Sequence, residues 1–262
     1  MRKTAIVVPC YNEEKRLNAR AFVDFASAHP ALSFIFVDDG STDSTAGKLK
    51  SMVSEDPARI RLLSLGKNSG KAEAVRRGIL KALEGDYASV GYWDADLATP
   101  LDAIPGFSEI LDSSETTVVM GSRVRLLGRK IERKAMRHYL GRVFATLASL
   151  MLRIPVYDTQ CGAKVFKRTD ALKAAVSEPF SVKWTFDVEL LARIKMVERA
   201  EWRPGPEELW VEYPLTRWAD VKGSNIRSRD FIKGGLEFLK VFTLLYIPPF
   251  KDRYLRRFTG RG

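Results

Sequence analysis

Four short apolar runs, at residues 5–9, 33–37, 61–65 and 87–93, alternate with three stretches of helical periodicity, at 13–29, 41–53 and 70–83. A strand buried on both faces reads as a continuous apolar run, without the polar alternation of a half-exposed one. The rhythm therefore predicts a β-α-β-α-β-α-β unit: an α/β fold with a mainly parallel sheet, right-handed crossovers and helices on both faces. Ligands of such sheets bind outside the carboxyl ends of the strands. The informative polar residues fall there, at 11–14 after the first run, 38–43 after the second and 94–96 after the fourth.

The rest of the chain is less regular. Strands are expected at 117–121, 163–166 and 208–213, and helices at 131–152, 186–197 and 231–246, with a basic tail from Lys251. The chain of 262 residues has no internal repeat and no Gly-, Ser- or Pro-rich linker to divide it. The expected layout is one domain over 1–225, with a nucleotide-binding half at 1–103 and an acceptor half at 104–225. An amphipathic basic extension follows at 226–262. Met1 to Thr4 lead directly into the first apolar run, which is read as no secretory signal. The longest apolar stretches, 143–152 and 241–250, fall short of the roughly 18 to 20 residues of a membrane span. Cys10 and Cys161 have neither disulfide nor metal-ligand spacing, which suits a reduced, cytoplasmic setting. The net charge of +11 favours anionic partners, and the excess gathers at 123–142 and 222–261. Nucleic acid is one such partner, but the interleaved aromatic platforms or a binding motif are missing, so none is expected.

Four segments carry chemistry. Asp94-Ala95-Asp96 ends a strand; if the chain turns there, both carboxylates converge and, with a diphosphate, make a hard-oxygen site for Mg²⁺ or Mn²⁺. Two acids in an exposed turn are the plain alternative. In the segment 37–43, Asp38 and Asp39 close an apolar strand and can accept from a base, while Ser41 or Thr42 caps the next helix. In 9–14, Tyr11 can pack against a base and Glu13 can bond a ribose hydroxyl; acids in a first helical turn are the alternative. Asn68-Ser69-Gly70-Lys71 lacks the spacing of an ATPase phosphate loop, but Lys71 can reach a nucleotide phosphate.

Together, Val7-Val8-Pro9-Cys10-Tyr11-Asn12-Glu13, Val37-Asp38-Asp39-Gly40-Ser41-Thr42-Asp43, Asn68-Ser69-Gly70-Lys71 and Trp93-Asp94-Ala95-Asp96 resemble the family 2 glycosyltransferases of GT-A, Rossmann-like fold. Asp158-Thr159-Gln160-Cys161-Gly162, Phe186-Asp187-Val188-Glu189-Leu190 and the segment 218–224 are similar to the branch that glucosylates dolichyl phosphate. The resemblance covers about residues 4–245. It implies that Pro9, Tyr11, Glu13 and Asp39 hold the nucleoside, that Asp94 with Ala95 holds ribose or diphosphate, and that Asp96 with Asp94 binds the metal. Leu97 and Ala98 after the aspartates favour a UDP-sugar, UDP-glucose foremost.

The implied acceptor is a polyprenyl phosphate, which suits the basic second half. A phosphate monoester is largely dianionic at neutral pH and is already a nucleophile. It needs cations to align it, and Arg123 and Arg137 are the candidates. Gln160, Lys222 and Ser224 are further acceptor-side residues by resemblance, and Asp187 and Glu189 are expected to face the site, Asp187 in a catalytic role. A saccharide hydroxyl is the alternative acceptor and would need a general base. Ala163, Asp220 and Asn225 depart from the family pattern and bear on the acceptor and the sugar. The helices at 134–152 and 231–250 couple apolar faces to basic flanks, which suits peripheral contact with the inner face of a membrane; a core-facing helix or an oligomer contact is the equal alternative.

Overall fold

The computed structural model describes residues 1–132, 135–200, 205–219, 228–248 and 250–259, without the side chains of 135–140, 200, 206, 228–232, 255, 258 and 259. The first half forms β1 Thr4–Cys10, α1 Ala19–Ala28, β2 Leu32–Asp38, α2 Thr45–Glu55, β3 Ile60–Ser64, α3 Lys71–Leu83 and β4 Ser89–Trp93. A 3₁₀ turn then leads into α4 Ile104–Ser113, β5 Val118–Ser122, β6 Lys130–Glu132 and α5 Ala135–Leu152. The remainder is β7 Ala163–Lys167, α6 Asp170–Ser177, α7 Phe186–Ala200, α8 Pro206–Leu209, β8 Trp210–Pro214, β9 Arg217–Ala219, α9 Ser228–Tyr246 and α10 Phe250–Thr259.

One seven-stranded sheet runs β3-β2-β1-β4-β7-β5-β8, and β6 pairs with β9 in a small parallel ribbon beside it. All neighbours in the large sheet are parallel except β7, which is antiparallel to both β4 and β5. The chain proceeds outward from β1 through β2 to β3, then returns to place β4 on the other side of β1. The crevice between the ends of β1 and β4 is thus the topological switch point, where ligands of open α/β sheets bind.

Each face of the sheet is buried by its own layer. Val7, Ile35 and Val37 pack with α3, α6, α7 and α9 on one side. Ile6, Val8, Phe34 and Phe36 pack with α1, α2 and α4 on the other, where Phe22 meets Phe34 and Phe36 edge to face at 5.2 and 5.1 Å. The extension at 226–262 is part of the first layer: Phe238, Val241, Leu245 and Tyr254 are buried in it.

Several boundaries differ from the sequence reading. α1 starts at Ala19, because Asn18 accepts from the Ala21 N–H at 3.1 Å and residues 13–17 are held instead against the loop after β2. α2 starts at Thr45, and neither Ser41 nor Thr42 caps it. Ser41 Oγ accepts from the Asn12 N–H, the Thr42 N–H donates to Asn12 Oδ1, and Asp43 bridges the N–H groups of Thr45 and Glu14. Ile131 belongs to β6, so the long helix begins at 135; the strand at 208 begins at Trp210. α4, α6 and α10 were not foreseen, and the last occupies the expected basic tail.

Candidate functional site

The carboxyl ends of β1, β2 and β4 bring the three acidic segments to one edge. After β4 the chain turns as the coordination argument requires. The Leu97 N–H donates to the Asp94 carbonyl at 3.3 Å, and Leu97 takes a left-handed φ of 55°. Asp96 Oδ1 accepts from the Ala98 N–H at 3.1 Å. Asp94 is fixed from the other side: its N–H donates to the Gly162 carbonyl at 3.0 Å. A Cβ on Gly162 would stand 1.9 Å from Asp94 Oδ2, so only glycine leaves that carboxylate its place.

Lys71 Nζ, at the start of α3, lies 2.5 Å from Asp94 Oδ1. The neighbouring groups partly desolvate this otherwise exposed ammonium, but Asp94, Asp187 and Asp96 outweigh that and raise its pKa. Burial raises the Asp96 pKa, and the Asp94 charge raises it further. Burial likewise raises the Glu13 pKa, opposed by Arg16 and reinforced by Asp96 and Asp94. Glu13 Oε1 accepts from Arg16 at 2.5 Å, while its buried Oε2 has no hydrogen-bond partner among the described residues. Glu13, Asp94 and Asp96 therefore share one crevice and crowd it with negative charge.

This donor set fits a divalent cation. Among the described residues no three His, Cys, Asp or Glu side chains form a closed cage. Two carboxylates that need further oxygens from a ligand match Mg²⁺ or Mn²⁺, which keep part of their shell for phosphate and water.

Asp39 is placed differently from an open base-reading carboxylate. It is buried, and accepts from the N–H groups of Ser69 and Gly70 at 2.7 and 2.8 Å, holding the loop before α3. Gly40, at φ 71°, lets that loop pass; a Cβ there would meet the backbone of Lys67 at 2.6 Å. Tyr11 is exposed at the rim beside Pro9, and Ala95 is buried within the turn.

The acceptor side is more altered. Asp187, at the start of α7, comes to the crevice: its Oδ1 accepts from Lys164 Nζ at 3.0 Å and from the Tyr92 hydroxyl. Glu189 does not face the site. It is fully buried, accepts from the N–H groups of Ser181 and Val182, and holds Arg193 at 2.7 Å and the Tyr254 hydroxyl at 2.5 Å. Residues 187 and 189 are two apart on a helix and point to different sides. Arg123 spends two guanidinium nitrogens on Asp158, at 2.6 and 2.7 Å, and lies over the Trp218 ring. Burial opposes its charge, and Asp158 more than restores it, raising its pKa. Gln160 is half-buried in the turn before β7. Cys161 is buried, and burial raises its thiol to about 11, so it stays protonated. Arg137 lies in the first turn of α5 with its side chain outside the described residues, as are Lys222, Ser224, Asp220 and Asn225.

Sequence reasoning gave no role to Tyr92 or Lys164, and placed Asp158 and Gly162 in a family motif without saying what they do. One signal was available for Lys164, a lysine inside the apolar run at 163–166 that requires a buried anion.

The family profile described as Glycosyl transferase family 2 matches residues 5–173. The chain belongs to this family. This glycosyltransferase is 32% identical over 253 residues to the dolichyl-phosphate beta-glucosyltransferase ALG5C of Trichomonas vaginalis, covering 91% of this chain and 70% of the relative. It is 33% identical over 201 residues to the dolichyl-phosphate beta-glucosyltransferase of Dictyostelium discoideum, covering 71% of this chain and 60% of the relative. The human protein of that name is 32% identical, with 72% of this chain and 62% of the relative covered. The glycosyltransferase has the same fold as glucosyl-3-phosphoglycerate synthase of Mycobacterium tuberculosis, solved with Mn²⁺ and UDP-glucose. The TM-score is 0.63 at 19% identity, over 93% of this chain and 78% of the other. A mannosyltransferase of Pyrobaculum calidifontis, solved with GDP-Man and Mn²⁺, gives 0.60 at 18% identity, over 98% and 69%.

Proposed function

We propose that this glycosyltransferase moves glucose from UDP-glucose to a polyprenyl phosphate, with inversion at the anomeric carbon. The observation that carries the donor half is the crowded carboxylate crevice at the β1/β4 switch point, where Lys71 already pairs with Asp94. In this reading Pro9, Tyr11, Glu13 and Asp39 frame the nucleoside, and Lys71, Asp94 and the Ala95 turn meet the diphosphate. Asp94 and Asp96 would hold Mg²⁺ or Mn²⁺, which offsets the charge on the departing UDP.

The acceptor half is supported by the relatives named for dolichyl phosphate and by Asp187. Two lone pairs of its Oδ1 are engaged, one by the Lys164 ammonium and one by the Tyr92 hydroxyl. With that oxygen held by two donors, only Oδ2 is left for a sugar hydroxyl, which makes an acceptor that needs no base the better fit. A phosphate brings its own nucleophilic oxygen: that oxygen bonds to the anomeric carbon as the bond to UDP breaks, and no proton has to be removed. Arg137 and Lys222 are the proposed cations for the acceptor phosphate, joined by Ser224. Arg123 acts one step back, fixing the Asp158 loop that carries Gln160 and Gly162.

The test is incubation of the full chain with UDP-[¹⁴C]glucose, Mn²⁺ and polyprenyl phosphate. Label in the lipid phase, released by mild acid as glucose, is expected. Label only in a water-soluble saccharide, or none with any common nucleotide sugar, would overturn the reading.

A further inference from the structure

On the flank formed by α5, α7, α9 and α10, a cavity of about 230 Å³ opens to the surface. Its apolar lining comes from Met151, Leu152, Met196 and Leu245. Lys195, Arg199 and Lys251 join that lining with three positive charges, and Arg153 adds a fourth beside it, 4.8 Å over the ring of Tyr246. None of these four cations forms an ion pair among the described residues. The Lys195 ammonium is buried and donates to the Leu152 carbonyl. Burial lowers its pKa, and Arg199 and Arg153 lower it further against a partial offset from Glu207. The cluster thus carries an excess of positive charge, offset only in part by Glu207, around an apolar floor.

The surroundings are apolar as well. Leu147 and Leu150 stand out from α5, Leu239 and Phe242 from α9, and Ile247 and Phe250 from the junction of α9 and α10. Leu150 is 70% exposed and Leu239 65%. Phe144 and Phe238, with rings 5.5 Å apart, hold α5 and α9 side by side. Exposed apolar side chains gathered on neighbouring helices in this way suit an interaction site.

We propose that this cavity binds the phosphate head group and first methylenes of an anionic phospholipid, and that the adjoining apolar side chains rest on the bilayer. A free anion would satisfy the cations but leave the apolar floor wet. A second copy of the chain would cover the apolar side chains but set its own cations against these. An anionic amphiphile meets both requirements, since basic and apolar groups together suit an anionic membrane surface. The cavity is separate from the donor crevice: Lys195 and Arg199 follow Asp187 on α7 by about 12 and 18 Å, at a rise of about 1.5 Å per residue. The proposal holds whichever sugar and acceptor the crevice takes.

The test compares co-sedimentation of the full chain with phosphatidylcholine vesicles and with vesicles one-third phosphatidylglycerol. Binding to the anionic vesicles is expected to be about tenfold tighter or more, and R199E/K251E is expected to lose most of that gain. Both side chains are exposed, so the variant keeps its melting temperature and its response to UDP and Mn²⁺. Met196→Trp fills the cavity and is expected to weaken binding while leaving all the charges in place. Equal binding to the two vesicle types, an unchanged double variant, full displacement by inorganic phosphate, or a lipid-free dimer that buries this face would each overturn the proposal.

Discussion

Asp96 costs the ligand-free protein stability. Its carboxylate is removed from water and set beside Asp94, so a proton is held more tightly in the folded chain than in the unfolded one. The sign follows from linkage: the unfolded chain loses that proton first, so stability falls as pH rises through the ordinary carboxylate range and stays reduced above the raised folded value. Glu13 shifts the same way. Asp96→Asn keeps an oxygen for the Ala98 N–H and removes the charge. In EDTA at neutral pH it is expected to raise the melting temperature by about 1–3 °C, a gain that vanishes below about pH 4, where both forms are neutral. The same variant is expected to lose about 10²-fold or more in kcat/KM, as when a group that stabilises developing charge is removed. Differential scanning fluorimetry across pH and a transfer assay check the two halves. A variant less stable than the parent in EDTA would show that the carboxylate is not under strain.

At the scale of elements, β7 decides the site although it carries none of the acidic motifs. Entering antiparallel between β4 and β5, it sets Gly162 against Asp94 and Lys164 under Asp187. Gly162→Ala is therefore expected to displace the Asp94 carboxylate and weaken UDP–Mn²⁺ binding by about tenfold or more, as measured by calorimetry, with little change in global stability. Strands β1, β2 and β4 were legible in the sequence because both their faces are covered, which leaves continuous apolar runs such as the one at 33–37, whereas β3 at the sheet edge is half exposed. The direction of β7 was not legible, since an apolar run does not record which way a strand points. The turn at 94–97 was legible as a requirement of the chemistry, and the chain makes it. Glu189 was misplaced because its buried partners, Arg193 and Tyr254, come from one helix turn away and from 65 residues away. Tyr254 lies in a decapeptide so basic that it reads as a tail, yet its hydroxyl, donating to Glu189 and accepting from Arg193 Nε, docks α10. Glu189→Ala takes the carboxylate away from the buried Arg193 guanidinium and the Tyr254 hydroxyl, and is expected to cost about 3–5 kcal/mol. That corresponds to a fall in melting temperature on the order of 10 °C for a chain of this size. The KM for the nucleotide sugar should be unchanged, the reverse of the pattern for Asp96→Asn.

At the scale of the whole molecule, the sheet joins what the sequence divides. The acidic motifs come from β1, β2 and β4, but Asp94 is held by the residue before β7, and α9 and α10 bury the same layer that covers β1 and β2. The donor crevice and the C-terminal helices therefore belong to one cooperative unit. A ligand that binds only the folded state at one edge should raise the stability of all of it. With UDP and Mn²⁺ at about 100 times their dissociation constant, the gain is about 2.7 kcal/mol, or roughly 5–10 °C in melting temperature. UDP is expected to exceed GDP, and Asp96→Asn should lose the increment that depends on the metal. Trp93 immediately precedes Asp94 and packs on Phe107 of α4, whereas Trp184 packs on Phe144 of α5 and Trp210 begins β8. Single-tryptophan variants keeping one of the three should report the same midpoint and the same shift with ligand. If the Trp93 probe alone moves, the crevice half unfolds independently and the shared sheet does not transmit stability across β7.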